Sequence, residues 1–422
     1  MKVIRVGICV LLAFAVLSFG AVEEWAQAVL GLGASVLLAY WALRQYFLDA
    51  EPISIPQEIA PLCALALLGV LQLVFSLTMS RYATRMELQL LFTYVVLIFL
   101  MAQSFTRVSH WRGYLWFVMS LGFFVSIFGI LQYLTFNGKL YWTRVMHYGG
   151  IPFGPYVNRN HFAGFAELVI PVALVPIFLG KVRRERLFLV GLFALVPIVA
   201  LLLCASRGGI VSFAVQLVIL VLLILVQRVR SRYMFVGGLV VVAALMMVSW
   251  IGVQKVLQRF SNMQSLEVTA GKRTAMREDT WRLFLAHPMV GTGMGTFEME
   301  IPPYDSFYDG KVVNHAHNDY VEELAETGVI GGIVCAWFLG VVIVTSLRRL
   351  SESSGSFGTV LNLTGLIACC GILVHSLVDF NLHIPANALF FVLSAHLAVV
   401  RVEPSSPGAP GNPSRRRHKR KQ

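Results

Sequence analysis

The sequence is poor in charged residues. Asp, Glu, Lys and Arg make up 13% of its 422 residues, whereas 57% are hydrophobic and the mean hydropathy is +0.73. Soluble globular domains average about 25% charged residues, so the composition excludes a chain built of ordinary soluble domains. It predicts a polytopic membrane protein.

The cysteines exclude two further classes of protein. All six lie inside apolar runs, and none is spaced as Cys-x-x-Cys. Disulfide frameworks and cysteine-bound zinc sites are recognised by paired cysteines at set spacings. Neither is indicated, and each cysteine is expected to pack as a small apolar side chain.

The apolar residues form runs long enough to cross a membrane. About 20 helical residues span the ~30 Å hydrocarbon layer, and about twelve such runs occur. The predicted fold is an all-α polytopic membrane protein with about twelve transmembrane helices and one large, partly helical periplasmic loop. The first run is expected to be retained as a span, because no convincing small-residue cleavage site follows it. The runs lie near 4–21, 25–43, 61–78, 88–103, 113–134, 161–180, 187–204, 209–226, 234–252, 329–346, 357–376 and 385–401.

Lys and Arg gather in every second loop, as expected for loops that stay in the cytoplasm. Both termini are therefore predicted to be cytoplasmic. The net charge of +12 is explained by this topology and by contact of basic residues with anionic membrane lipids. Binding of nucleic acid is not indicated, because the chain has no nucleic-acid motif. Four parts are predicted: transmembrane helices 1 to 9 in 1–252, a periplasmic catalytic loop in 253–328, transmembrane helices 10 to 12 in 329–402, and a disordered basic cytoplasmic tail in 403–422.

The predicted outer loop 253–328 has helical segments. A helix is expected from Arg273 to His287, where apolar residues recur at helical spacing and Pro288 ends the run. The Gly-Thr-Gly-Met-Gly string at 291–295 is expected to be a flexible turn rather than a phosphate cradle, since no strand precedes it. A second helix is expected to start near Asn318 or Asp319, with Asp319 and Glu322 as a capping box.

His315 and His317 stand before this second helix, and Arg273 and Arg277 lie in the same loop. A lone histidine is most simply a capping or packing residue, but this concentration of imidazole and guanidinium groups favours a functional site. The two histidines and nearby carboxylates could instead bind a metal ion. We favour no metal, because the carboxylates are expected to project from another face of the helix.

Two charged residues are expected near the membrane on the outer side. Arg207 lies in a predicted outer turn, and an arginine at membrane depth costs about 2.5–3.5 kcal/mol unless it snorkels or pairs with an anion. Glu167 is the only acidic residue within a predicted span. It is expected to pair with Arg207 or Arg159, or to orient a substrate hydroxyl.

Two further polar groups lie at predicted outer span ends. Asn158, Arg159, Asn160 and His161 precede one span, and a second group follows another. Such side chains can bind sugar hydroxyls, or they can cap helices. The second group consists of His375, Asp379, Asn381 and His383.

The phrase His317-Asn318, nine residues, Gly328-x-x-Gly331 resembles the O-antigen ligase and polymerase family of bacterial envelope glycosyltransferases. Arg273 and the stretch 287–297 precede it as in the family, and Ser206-Arg207-Gly208-Gly209 adds support. By motif, the resemblance covers about residues 158–385. It implies a cofactor-free enzyme of the bacterial inner membrane that transfers a glycan from undecaprenyl diphosphate to an acceptor sugar, such as that of a lipid A core, at the periplasmic face.

The resemblance also implies residue roles. His317 is similar to the essential histidine, and Arg207 and Arg273 to the arginines that hold the diphosphate. This chain has Arg277 where many relatives have an aromatic residue, so the choice between Arg273 and Arg277 stays open. The other expected substrate-binding residues are Arg159, His161, Glu167, His315, Asn318 and Asp379.

Such a transfer needs charge stabilisation on the leaving phosphates and a base for the attacking hydroxyl. Arginines can supply the first without a metal, and an imidazole the second. We therefore expect a metal-independent single displacement with inversion at the anomeric carbon. An O-antigen or exopolysaccharide polymerase is the alternative, followed by a transporter or flippase, which would carry polar groups near the membrane midplane.

Overall fold

The computed structural model describes residues 1–48, 52–145, 151–226, 234–261, 263–308, 310, 312–352 and 356–402, with the side chains of 250–270 excepted. The predicted basic tail 403–422 lies outside the described residues. In the described part the chain is helical, and its β-structure is limited to two isolated bridges. The all-α prediction is confirmed there. The helices are α1 Lys2–Leu17, α2 Glu24–Phe47, α3 Ile59–Val74, α4 Arg81–Ser104, α5 Val108–Leu134, α6 Arg159–Phe178, α7 Arg184–Leu203, α8 Arg207–Val226, α9 Met234–Ser261, α10 Met263–Ala286, α11 Phe297–Glu300, α12 Asp319–Glu352, α13 Phe357–His375 and α14 Pro385–Val399.

Each predicted apolar run coincides with one of these helices. Within the described residues, eight are long and apolar enough to cross a membrane, and three shorter apolar helices add to them, namely Ile59–Val74, Met234–Ser249 and Pro385–Val399. The remaining run is α1, whose Ile4, Ile8 and Leu12 are fully buried in the bundle core. The chain is thus a polytopic membrane protein, and the count of twelve spans stays a prediction.

The connections predicted to face outward meet at one end of the bundle, here called the site end. The Tyr141 hydroxyl donates to the Leu17 carbonyl at 2.7 Å, and the Met79 amide donates to the Thr292 carbonyl at 2.9 Å. At the opposite end, here called the basic end, Arg5 donates to the Ser104 carbonyl at 2.9 Å. The alternation of loops predicted from charge therefore agrees with the packing of the helix ends.

Helices α6, α13 and α14 form the centre of the bundle. In α6, 94% of the apolar window is buried, against 22% in α2 and 33% in α8. Phe165 of α6 packs edge-on against Phe390 of α14 at 5.6 Å. The three central helices start or end at the site end, at Arg159, His375 and Pro385. The best-packed part of the protein thus fixes the turns that carry the site.

Two helix boundaries differ from those expected. The helix expected from Arg273 begins at Met263, and α9 continues to Ser261 rather than ending near 252. The apolar run marks the part of a helix that lies in lipid, not the point where the helix ends. Much of the first third of the expected loop 253–328 is therefore helical.

The expected capping box of α12 is wrong. The Asn318 side chain caps the helix instead, accepting from the amides of Tyr320 at 3.0 Å and Val321 at 3.1 Å. Asp319 and Glu322 are buried and bind other partners, as described below. Asparagine and aspartate are equally good N-cap residues, so the sequence alone allowed either Asn318 or Asp319 to cap the helix.

The glycine-rich string is a turn whose amides hold a carboxylate of this chain. The amides of Gly295 and Phe297 donate to the two oxygens of Glu326 at 2.7 and 2.9 Å. Gly328 interrupts α12 with φ +66°, and a side chain there would collide with the Met289 carbonyl oxygen at 2.3 Å. The turn is as expected, and the amides of Gly295 and Phe297 are occupied by the Glu326 carboxyl group.

Candidate active site

Asp379, in the turn between α13 and α14, is the centre of the site. Its carboxylate is 1% exposed and lies between two of the expected catalytic residues. Oδ1 is 3.4 Å from Nδ1 of His317, and Oδ2 is 3.7 Å from Nη2 of Arg273. The Asn160 side-chain amide also donates to Oδ2, and the Phe380 amide donates to Oδ1 at 3.0 Å. One buried carboxylate therefore joins α6, α10 and the segment before α12.

The charge of Asp379 follows from these neighbours. Burial favours the neutral acid, but the His317 imidazole, together with the neighbouring imidazoles of His161 and His375, outweighs it. The pKa of the Asp379 carboxyl therefore lies well below its usual range. Asp379 is an anion that holds a guanidinium and an imidazole beside each other.

Arg273 rather than Arg277 reaches this turn. A second nitrogen of Arg273, Nη1, donates to the carbonyl of Val378 at 3.0 Å. Arg277 donates to the Thr274 hydroxyl at 3.1 Å and lines a separate surface groove with Trp281. The structure thus separates the two arginines between which the sequence could not choose.

His317 is held in an unusual backbone conformation. Its φ of 52° lies in the left-handed region, which residues other than glycine adopt rarely. The following residues fix it, because the Asn318 side chain donates to the Leu377 carbonyl and the Asp319 amide to the Ser376 carbonyl, each at 3.0 Å. A strained backbone conformation of this kind persists only where surrounding contacts hold it, and such conformations are frequent at functional sites.

The ring of Phe380 is surrounded by three imidazoles. His315 stacks on it at 4.1 Å, and His161 and His317 approach its edge or face at 4.8 and 5.0 Å. The sequence analysis missed Phe380. The available signal was that Phe380 is the only aromatic residue between α13 and α14, in a turn that also carries Asp379, Asn381 and His383.

A second polar cluster lies next to the first. His315 Nδ1 is 2.6 Å from Glu322 Oε1, and His383 Nδ1 is 2.7 Å from Asp319 Oδ1. His383 Nε2 is 3.4 Å from Glu322 Oε1. The expectation that the carboxylates would project away from the histidines is wrong, since Asp319 and Glu322 form the buried face of the first turns of α12.

His383 is the cation of this cluster. Burial opposes its protonation, but the charge of Glu322 and the hydrogen bond to Asp319 outweigh burial, so the pKa of His383 is well above its usual value. One ligand atom each from His315, Glu322 and His383 lies within 4.8 Å of the others, a spacing that could hold a metal ion. A metal would have to displace the proton of His383. The expectation of no metal stays a prediction.

The contribution of His383 to the stability of the fold should depend on pH. Because the pKa of His383 is raised on folding, its stabilisation is complete below the ordinary histidine pKa of about 6.5 and is lost as pH rises through the folded pKa. His383→Asn should cost about 3 kcal/mol at mildly acidic pH and progressively less at alkaline pH. Thermal unfolding of purified protein across this range measures it. An equal cost at every pH would contradict the assignment.

Arg207 and Glu167 lie on the other side of the same turn. Arg207 is the first residue of α8, and a side chain at the next residue, Gly208, would meet the His375 ring at 2.7 Å and Val378 at 2.9 Å. The start of α8 is therefore packed against the turn that Arg273 binds. The carboxylate of Glu167 lies 2.9 Å from His375, which was not among its expected partners.

The remaining expected residues are also at this end. His161 is buried in the first turn of α6, next to Phe380. Arg159 starts the same helix, and its Nη1 is buried without a hydrogen-bond partner among the described residues. A buried guanidinium nitrogen of this kind is available to an anionic ligand.

A cavity of about 400 Å³ opens beside the second cluster, between α3, α4, α12 and α14. Its lining is mainly apolar. Asp319, His383 and the carboxylates of Glu87, Glu323 and Glu326 line its polar part. The cavity thus joins an apolar space among the helices to charged groups at the site end.

These features define a helical membrane protein with a charged site at one end of its bundle. The family model described as O-antigen ligase matches residues 192–336, a segment that contains Arg207, Arg273 and His317. This match covers about a third of the chain's length and supports the resemblance seen in its motifs. The match indicates a glycan-handling activity of the ligase or polymerase type. A comparison with curated proteins found no match.

Proposed function

We propose that the protein transfers a glycan from undecaprenyl diphosphate to an acceptor sugar, such as that of a lipid A core, at the periplasmic face of a bacterial inner membrane. The proposal rests on one observation: Arg273 and His317 lie at 3.7 and 3.4 Å from the two oxygens of the buried Asp379 carboxylate. An anion-binding group and a proton acceptor are therefore adjacent. A glycosyl transfer from a diphosphate needs these two groups next to each other.

The proposed reaction is a single displacement. The acceptor hydroxyl oxygen attacks the anomeric carbon, and the bond from that carbon to the diphosphate oxygen breaks with its electron pair. The hydroxyl proton passes to Nε2 of His317, since Nδ1 faces Asp379. The products are the inverted glycoside and undecaprenyl diphosphate, and the proton then leaves His317 to water.

The negative charge that develops on the leaving diphosphate would be met by arginines. Arg273 presents a guanidinium that is about one third exposed, and Arg207 starts α8 beside the same turn. The first amides of a helix add partial positive charge. Guanidinium groups bind phosphate oxygens through paired hydrogen bonds, so the proposed reaction has no step that requires a metal.

The apolar cavity supports a lipid-linked substrate. Its walls are suited to a hydrocarbon chain, and its polar part adjoins Asp319 and His383. The same lining argues against the alternative of a transporter, which would carry polar groups through the bundle near the membrane midplane.

The decisive experiment is transfer in vitro. Purified protein would be given a defined undecaprenyl-diphosphate glycan and lipid A core, with and without chelator, and the product separated on a gel. Transfer to the core that resists chelator supports the proposal. Products that lengthen only on the lipid-linked donor would identify a polymerase, and products lost with chelator would disprove metal independence.

Asp379→Asn should separate catalysis from donor binding. The substitution keeps the shape of the side chain but removes the charge that orients His317, so kcat should fall about 10–100-fold. The donor KM should not rise, because Arg273 loses a competing anion. Steady-state kinetics with varied donor measures both. If KM rises while kcat is unchanged, Asp379 binds donor rather than positioning His317.

A further inference from the structure

A groove at the basic end of the bundle has the character of a lipid site. It has a volume of about 280 Å³ and lies where α5, α7 and α13 begin and α6 ends. Its floor is apolar and includes Leu115, Met119, Val172, Val190 and Val360. Its rim carries four cations, Arg112, Lys181, Arg183 and Arg186.

Two of the four rim cations are positioned by aromatic rings rather than by acidic partners. The Arg112 guanidinium lies over the Phe357 ring at 5.3 Å, and that of Arg186 lies over the Trp116 ring at 5.7 Å. No ion pair joins any of the four to a carboxylate within the described residues, although Glu185 is their neighbour in sequence. Four positive charges thus surround an apolar floor with no anion of the described chain to balance them.

Two helix starts add to this charge. Helix α7 begins at Arg184 and α13 at Phe357, both at the rim, so the positive ends of their dipoles face the groove. A soluble anion would use the rim but leave the apolar floor in contact with water. A molecule that carries a phosphate and a hydrocarbon chain would satisfy both parts.

We propose that this groove binds one anionic phospholipid of the adjacent leaflet, with its phosphate among Arg112, Lys181, Arg183 and Arg186 and an acyl chain along the floor. Basic grooves between transmembrane helices bind acidic lipid head groups in this way. The proposal concerns the end of the bundle opposite the candidate active site. It does not depend on the function proposed above.

Native mass spectrometry of the full chain in detergent tests the proposal, with phosphatidylglycerol as the probe and phosphatidylcholine as the neutral comparison. One phosphatidylglycerol molecule should be retained preferentially. The double variant Arg112→Gln/Arg186→Gln should bind it at least about tenfold more weakly. The double variant Arg44→Gln/Arg348→Gln is the matched control, since it removes the same charge at the same end from residues that do not line the groove.

Three results would overturn the proposal. Equal retention of the two lipids would show that the rim does not favour an anionic lipid over a neutral one. Equal loss of binding in the two double variants would show attraction to the whole basic end rather than to this groove. Displacement of phosphatidylglycerol by millimolar inorganic phosphate would identify a phosphate site without a lipid. Lys181→Gln/Arg183→Gln, which changes exposed residues, repeats the test if the first variant does not fold.

Discussion

His317→Ala is expected to reduce glycan transfer by about 10²–10⁴-fold, the range that general base catalysis contributes. The imidazole is the group proposed to accept the acceptor's proton, and its Nδ1 is held 3.4 Å from the Asp379 carboxylate. Alanine provides no base and leaves Asp379 without this partner. The measurement is the rate of product formation in membranes supplied with excess lipid-linked donor.

The control for this prediction is His110→Gln, which changes a histidine at the basic end, where the ring accepts from the Arg107 amide at 3.3 Å. It should leave transfer within about twofold of the wild type, as expected for a surface substitution away from the site. Normal transfer by the His317→Ala protein, at equal amounts of folded protein, would end the proposed role of His317.

The helices could be predicted because lipid imposes one requirement on each of them. A span must satisfy its backbone hydrogen bonds internally and present apolar side chains over about 20 residues. Outside lipid that requirement ends, so hydropathy does not specify where α9 stops or where α10 starts. Hydropathy does not specify the start of α12 either, but the polar residues Asn318 and Asp319 predicted it, and the helix begins at Asp319.

The sequence identified most polar residues of the site but not their partners. His317 was expected to act with arginines, whereas its contact is Asp379, from a distant turn. The sequence placed Asp379 among possible sugar-binding residues because an isolated carboxylate carries no sign of what it will bind. Only the tertiary fold, in which α10 packs against α12, brings Arg273 to the same carboxylate.

The glycine-rich string shows why a motif needs its structural context. Two amides at its end converge on one acceptor, as in a phosphate cradle, but the acceptor is the carboxyl group of Glu326. Gly291 and Gly328 reflect close approach of two backbone segments rather than ligand binding, since a side chain at either would collide with backbone atoms of the other segment at 2.2 and 2.3 Å. A side chain at Gly293 would collide with the Thr78 hydroxyl at 2.1 Å. The motif alone does not show that Glu326, two residues before Gly328, supplies the group that these amides bind.

Arg273→Gln is expected to lower kcat/KM for the lipid-linked donor by about 10²–10³-fold, the cost of removing one group that stabilises charge in the transition state. Glutamine keeps hydrogen-bonding capacity but loses the positive charge and the paired donors. Arg277→Gln should have an effect of tenfold or less, because its guanidinium contacts Thr274 rather than the Asp379 turn. Kinetics of the two variants with varied donor give both values.

The control is Arg282→Gln, five residues after Arg277 in α10, where the guanidinium pairs with Asp279 at 3.4 Å. It removes the same charge from the same helix, so a general electrostatic effect on donor binding would lower its activity as well. If Arg277→Gln causes the larger loss, the diphosphate lies in the groove beside Trp281 and not at the Asp379 turn. The geometry at Asp379 would then position His317 but not the donor, and the proposed adjacency of base and leaving group would fail.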